Sequence, residues 1–306
     1  FAKQQLKQFK NFEIKKDGFV IGQKVVAIEK IGVYVPGGNY PLPSTALMCI
    51  IPAKAAGVKE ITVCSPKIKN VTIVAADIAG ADKIFKVGGV QAIAAMAYGT
   101  KQIPKVDKIV GPGNVYVTEA KKEVYGDVGI DFLAGPSEIM VIADEFADPE
   151  IIAADLLAQL EHDINARAFL VMDSETLIKK VKNEIKKRLV DLSTKNIIKK
   201  SIKNLKIIKF KNIDESIKIT NEIAPEHLEL QIRNPKRLIK KLRNYGSLFI
   251  GPYSAEAFGD YCSGTNHVLP TRGGARFTSG LSVRDFIKLQ TYQKIDAKGA
   301  KNLAFA

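Results

Sequence analysis

Histidine and cysteine are the scarce residues of this 306-residue chain, with three of each. The cysteines (Cys49, Cys64 and Cys262) are odd in number and lack CxxC spacing. Such a set excludes a disulfide framework and a structural zinc knuckle, and points to reduced thiols in the cytoplasm. Cys49 and Cys64 lie in apolar runs and read as small core residues. Cys262 sits in a polar run, without an adjacent base to make it a nucleophile. No apolar run approaches the roughly 20 residues that span a bilayer, so no membrane contact is expected. The polar opening Phe1-Ala-Lys-Gln-Gln-Leu6 has no resemblance to a secretion signal. The chain opens without Met, so the gene product is expected to start earlier.

Arginine is far less frequent than lysine, although the net charge is +14. Much of the excess falls between Lys179 and Lys211, where lysines alternate with Ile and Leu as on a solvated helix face. No RNP motif, zinc finger or basic-aromatic stripe accompanies it, so a nucleic-acid partner is not expected. With 46% hydrophobic and 25% charged residues the composition is that of a globular protein. The length exceeds one ordinary core, which gives two domains as the starting expectation.

The histidines that are present sit in polar clusters: Gln159-Leu-Glu-His162-Asp163, Pro225-Glu226-His227-Leu228-Glu229 and Asn266-His267. The last belongs to a run, Gly259-Asp-Tyr-Cys-Ser-Gly-Thr-Asn-His-Val-Leu-Pro-Thr271, that reads as too irregular for a helix or long strand. Ionisable groups on irregular backbone are costly to bury and more often serve a site than a core. The three stretches are therefore expected to wall one site.

Residues 1–16 read as the end of an amphipathic helix and 25–35 as one strand leading to the turn Tyr34-Val-Pro-Gly-Gly-Asn39. Ser44 or Thr45 is the expected cap of the next helix. Short apolar strands then alternate with helices: 61–64, 71–79, 83–87, 91–98, 108–110 and 115–124. A second alternation follows Ala134-Gly-Pro-Ser-Glu138, through 139–143, 148–161, 168–172, 175–192, 205–210, 213–223, 228–232, 235–243 and 247–250. Residues 284–306 read as a helix start that loses periodicity. The pattern predicts an α/β protein with two Rossmann-like parallel-sheet domains of similar build, one inserted in the other. The expected division is 34–136, then 1–33 with 137–285, with 286–306 as the start of a tail. In parallel sheets ligands collect at the carboxyl ends of strands, where Tyr34, Gln91 and Asn114 fall.

Gln159 and His162 stand three apart at the polar end of an apolar helix, so both face one side. With Asp260 they offer nitrogen and hard oxygen donors suited to catalytic zinc. A capping or hydrogen-bonding histidine is the alternative. Glu226 and His227 are adjacent acid–base groups that Pro225 introduces; an imidazole takes a proton near neutral pH and a glutamate can activate water. Ser137 reads equally as a substrate contact or a turn cap. Gly111-Pro-Gly113 lacks the G-x-G-x-x-G spacing and reads equally as a nucleotide turn or a plain one.

Seven of these stretches carry a resemblance. They are Val33-Tyr-Val-Pro-Gly-Gly-Asn-Tyr-Pro-Leu-Pro-Ser-Thr45, Lys86-Val-Gly-Gly-Val-Gln-Ala-Ile-Ala-Ala95, Val110-Gly-Pro-Gly-Asn-Val-Tyr-Val-Thr118, Ala134-Gly-Pro-Ser-Glu138, Asp155-Leu-Leu-Ala-Gln-Leu-Glu-His162, Ala224-Pro-Glu-His-Leu-Glu229 and Gly259–Thr271. In order and over nearly the whole chain, they resemble the histidinol dehydrogenases. The resemblance implies a zinc-dependent homodimer that oxidises L-histidinol to L-histidine through histidinal, using two NAD in succession. It implies Gln159, His162 and Asp260 as metal ligands and Glu226 and His227 as the acid–base pair. The implied substrate-binding set is Ser137, Gln159, His162, His227, Asp260 and His267, and the implied NAD contacts are Tyr34, Gln91 and Asn114. The family's N-terminal arm and C-terminal tail, which carries a metal-ligating His into the partner subunit, lie outside this sequence. Both extensions are expected to be truncated and the metal site one ligand short. A zinc hydrolase without nucleotide and an inactive truncated paralogue are the rival readings.

Overall fold

The computed structural model describes residues 1–37 and 41–304; Gly38 and Asn39 of the expected turn lie outside the described residues. The chain divides into two compact units, one made of 1–111, 120–131 and 281–306, the other of 112–119 and 132–280. Residues 1–33 and 281–285 thus belong with the first unit, not with the second as expected. In chain order it is the second unit that interrupts the first.

In the first unit a short helix α1 (Ala2–Leu6) precedes two strands, β1 (Phe12–Lys16) and β2 (Phe19–Ala27). Here the expected single helix over 1–16 is corrected. Asp17-Gly18 is a hairpin turn, with Gly18 at φ 85°, a conformation that L side chains rarely adopt. The turn sets Phe12–Lys16 antiparallel to the next strand, in the register Phe12 to Gln23. The expected strand over 25–35 likewise splits, β2 ending at Ala27 and β3 (Lys30–Tyr34) entering another sheet.

The alternation that follows is α2 (Pro43–Ala56), β4 (Glu60–Cys64), α3 (Asn70–Ala79), β5 (Lys83–Phe85), α4 (Gly89–Tyr98), β6 (Lys108–Val110), α5 (Val115–Glu123, which crosses the unit boundary) and β7 (Gly129–Ile130). Pro43 occupies the first turn of α2 and Leu42 precedes it, so neither Ser44 nor Thr45 caps that helix. Proline at this position gives up a donor that has no intrahelical partner in any case. The five strands are parallel, in the order β5-β4-β3-β6-β7. Ile31, Val33, Ile61, Val63, Ile109 and Val110 are fully buried, as strands covered on both faces require.

The second unit repeats the plan with β8 (Glu138–Ala143), α6 (Pro149–Leu160), β9 (Arg167–Met172), α7 (Glu175–Leu189), α8 (Lys195–Ser201), β10 (Leu205–Lys209), α9 (Ile213–Ile223), β11 (His227–Gln231), α10 (Lys236–Ile239), β12 (Ser247–Ile250) and α11 (Glu256–Tyr261). Its parallel order is β10-β9-β8-β11-β12. Both sheets therefore share one topology, with the order reversing between the first and fourth strands, the Rossmann-like arrangement. Side chains of β8 alternate between two cores. Ile139, Val141 and Ala143 pack with α6 and α7, and Met140 and Ile142 with α9 and α10. Asp148, Ser174 and Asn212 cap α6, α7 and α9, each accepting a backbone N–H of the first turn.

Back in the first unit, the chain ends in β13 (Ile287–Ile295) and α12 (Ala297–Leu303). The expected helix start over 284–306 is thus corrected: β13 pairs antiparallel with β2 along nine residues, completing a three-stranded sheet. Among the described residues no helix is long and apolar enough to cross a membrane.

Candidate functional site

In the second unit the chemistry gathers at the amino edge of the sheet. Glu138 and His227 are the first residues of adjacent parallel strands β8 and β11, with His227 in register with Ile139. The approach to β11 is abrupt. Ala224 ends α9 at φ 51°, a left-handed conformation that costs a non-glycine residue roughly 1–2 kcal/mol. Pro225 then prevents the helix from continuing, and Glu226 and His227 enter the sheet edge buried.

The backbone of Glu138 binds both of them. Its N–H donates to Glu226 Oε2 at 2.8 Å, and its carbonyl oxygen lies 3.2 Å from His227 Nδ1. A carbonyl only accepts, so this contact places the proton on Nδ1 and leaves the Nε2 lone pair available. His227 Nδ1 is also 3.4 Å from Glu256 Oε1. Burial pushes the imidazole down to about 3, with His162 and His267 adding to the effect and the Glu138 contact opposing it. His227 is therefore neutral at neutral pH. Burial also holds Glu226 well above the ordinary carboxylate range; the Glu138 N–H opposes this, while Glu256, Glu138 and Asp260 reinforce it.

Asp260 lies on α11, a short helix where the sequence pattern reads as irregular loop. Gly259 makes the placement possible, since a Cβ there would stand 2.8 Å from the ring of Phe249 on β12. One turn earlier on α11, Glu256 is buried. His227, Glu256 and Asp260 offer ligand atoms all within 4.8 Å of one another. Sequence reasoning missed Glu256, although its spacing to Asp260, four residues along one helix, is the signal that would have found it.

Gln159 occupies the last turn of α6 with 1% of its surface exposed, and neither side-chain amide atom has a hydrogen-bond partner. His162 follows on the surface. His162 and His267 both favour the charged form of Asp260, although burial is the larger influence and raises it. The Nε2 of His267 is buried without a partner, and burial lowers that imidazole too. The structure thus brings His162, His227, His267, Glu226, Glu256 and Asp260 into one electrostatic neighbourhood. Ser137 adjoins it, directly before Glu138, and its carbonyl accepts the N–H of Arg167.

Buried amide and imidazole atoms without partners cost free energy unless something else binds them. Gln159, His267 and Glu256 all carry such atoms, Glu256 in the group it forms with His227 and Asp260, His267 in electrostatic contact with Asp260, and Gln159 at the end of α6, three residues before His162. That donor set of nitrogen and hard oxygen fits a zinc ion.

In the first unit Tyr34 ends β3, and its hydroxyl accepts the N–H of Gly89 at 3.1 Å. Gly88 and Gly89 open α4 without a side-chain cap, and Gln91 follows on the exposed surface. A glycine opening to a helix at the carboxyl edge of a parallel sheet suits a dinucleotide phosphate. Asn114, in the second unit, caps α5 by accepting the N–H of Val117 at 3.1 Å.

Comparison with known proteins identifies the family. The family profile described as histidinol dehydrogenase matches residues 1–306. The histidinol dehydrogenase of Methanocaldococcus jannaschii is 50% identical over 309 residues, covering 99% of this chain and 72% of that protein. That of Aquifex aeolicus is 50% identical over 300 residues, 97% of this chain and 70% of the relative. The crystal structure of the Elizabethkingia anophelis histidinol dehydrogenase superposes with a TM-score of 0.92 at 41% identity, over 99% of this chain and 73% of that one. A propionaldehyde dehydrogenase from Clostridium phytofermentans shares the fold alone, with a TM-score of 0.59 at 14% identity. With the full-length profile match and half of all positions identical to such enzymes, the chain belongs to the histidinol dehydrogenase family.

Proposed function

We propose that the amino-edge cluster of the second unit is where this oxidoreductase converts L-histidinol to L-histidine through histidinal. The family is NAD- and zinc-dependent, and its membership leaves the hydrolase and inactive-paralogue readings unsupported. The observation that carries the reading is the convergence of His227, Glu256 and Asp260, together with buried, unpartnered donor atoms on Glu256, His267 and, at the end of α6, Gln159.

In this reading Gln159, His162 and Asp260 hold zinc, while Ser137 and His267 contact the substrate. Zinc, when bound, supplies a fixed point for the substrate's imidazole and amine, and so orients the reacting carbon. NAD, contacted by Tyr34, Gln91 and Asn114, supplies the hydride acceptor for each of the two oxidations. His227, neutral and with its Nε2 lone pair free of the Glu138 contact, takes the alcohol proton as hydride leaves carbon. Histidinal must then gain water before a second hydride can leave. Glu226 is the base for that water: a carboxyl held above its usual range accepts a proton more readily than a solvated one. We further infer that the working enzyme is a homodimer in the cytoplasm, with a partner segment beyond the present residues adding a metal ligand.

The test is an assay of NADH formed per histidinol consumed, with and without a chelator. Two NADH per histidinol, abolished by chelation and restored by zinc, is expected; chelator-insensitive turnover or none with NAD contradicts the assignment. The two bases separate in the same assay. Glu226→Gln is expected to slow histidinal oxidation much more than histidinol oxidation, and equal losses in both steps would remove its water-activating role.

A further inference from the structure

Glu138 plays no part in the chemistry above, yet it is fully buried and makes polar contacts through both its carboxylate and its backbone. Its carboxylate stands between a guanidinium and a turn. Oε2 accepts from Arg167 Nη1 at 3.2 Å, across the β8–β9 register that pairs the two residues. Oε1 accepts the N–H of Arg272 at 3.0 Å. Burial raises this carboxyl, and the Arg167 guanidinium opposes it, helped by the nearby backbone N–H groups of Arg272, Glu226 and Gly273. Arg272 and Gly273 both have positive φ, at 52° and 75°. Successive backbone N–H groups from such a turn form a concavity that holds an anion. A left-handed arginine is strained, and something must hold it there.

The same residue's main chain contacts the acid–base pair. Its N–H fixes one oxygen of Glu226, and its carbonyl fixes the tautomer and rotation of His227. Next to it, the N–H of Gly135 donates to Thr271 Oγ1 at 2.5 Å, and the Arg272 side chain lies against Gly135 where a Cβ would be 2.4 Å from Nε. The segments 134–138, 226–227 and 267–273 therefore meet at this carboxylate.

We propose that Glu138 is a positioning residue for the Glu226–His227 pair. Its carboxylate, seated on Arg167 and the Arg272–Gly273 turn, fixes where its backbone stands, and the backbone aims both groups. The inference rests on the roles given above to Glu226 and His227. It predicts a loss shared by both oxidations, because one support serves both bases. A misplacement of about 1 Å at such groups costs about 10²-fold in rate.

The experiment measures each half-reaction in the zinc-loaded, full-length enzyme carrying Glu138→Gln. Gln keeps one acceptor for the turn and turns an amide N–H toward Arg167. The expected result is a fall of about 10²-fold in kcat for both oxidations, with KM for histidinol and zinc content near those of the parent. The same substitution in a Glu226→Gln/His227→Asn background is expected to cause no further loss, since the groups it positions are gone. Unchanged kcat in the parent, or a full additional loss in the double-variant background, overturns the proposal. Should Glu138→Gln fail to fold, Arg167→Met read in the same two backgrounds decides by the same outcomes. If His227→Asn and Glu226→Gln alone leave the rates unchanged, the underlying assignment has failed. If they inactivate while Glu138→Gln does not, only the positioning role has failed.

Discussion

Replacing His227 by Asn is expected to lower kcat for histidinol oxidation by about 10²-fold or more, with KM little changed. The imidazole is buried, and its Nδ1 is occupied by the carbonyl of Glu138 at 3.2 Å, so only Nε2 can take the alcohol proton. Asn offers an amide of similar reach at Nδ1 but no basic lone pair. The hydrogen bond to Glu138 survives the change while the base is lost, which isolates chemistry from packing. Steady-state kinetics with saturating NAD reads the effect. An unchanged kcat would remove His227 from proton transfer and leave it as one of the group with Glu256 and Asp260 that can hold a cation.

The second large effect lies in the first unit and concerns stability. Lys121 has 2% of its side chain exposed and Asp131 none, and the two are paired. Lys121 Nζ also donates to the carbonyl of Gly111 at 3.0 Å, while Asp131 Oδ2 accepts the N–H of Gly111 at 2.8 Å. The pair thus fixes both backbone groups of the residue that follows β6 and opens the Gly-Pro-Gly turn. Removing one partner strands a charge in an apolar interior, which destabilises by about 3–5 kcal/mol. Lys121→Met is expected to lose stability on that scale in urea denaturation. Adding Asp131→Asn, which removes the charge but keeps an acceptor for Gly111, is expected to recover much of it. A single variant as stable as the parent would show that the charge finds another partner.

How far the sequence can be read depends on whether each feature is local. The parallel strands are apolar runs between turn signals, so Ile61 to Cys64 and Ile139 to Ala143 stand out from the order of residues alone, whereas β3 merges in sequence with the end of β2. β13 does not stand out, because Ile287–Ile295 is mostly exposed and polar and becomes a strand only by pairing with β2. The hairpin at Asp17-Gly18 carries a turn signal, but the helical spacing of Leu6, Phe9 and Phe12 masks it. His162, His227, His267, Glu226 and Asp260 are visible because ionisable groups in clusters are chemically conspicuous. Their location at the amino edge is not, because it depends on where Ala224 and Pro225 release the chain into β11. Glu138 is invisible as a support. What it does to Glu226 and His227 passes through its backbone atoms, which every residue has, and only the register of β8 beside β11 gives them that role.

The assignment depends on two segments distant in sequence converging on one metal ion: the end of α6 with His162 just beyond it, and the helix α11. X-ray anomalous scattering at the zinc edge, on crystals of the zinc-loaded protein, tests this directly. The account predicts one zinc peak about 2.0–2.2 Å from oxygens of Gln159 and Asp260 and a nitrogen of His162. A peak elsewhere in the molecule, or ligation that leaves Gln159 and His162 out, would contradict it.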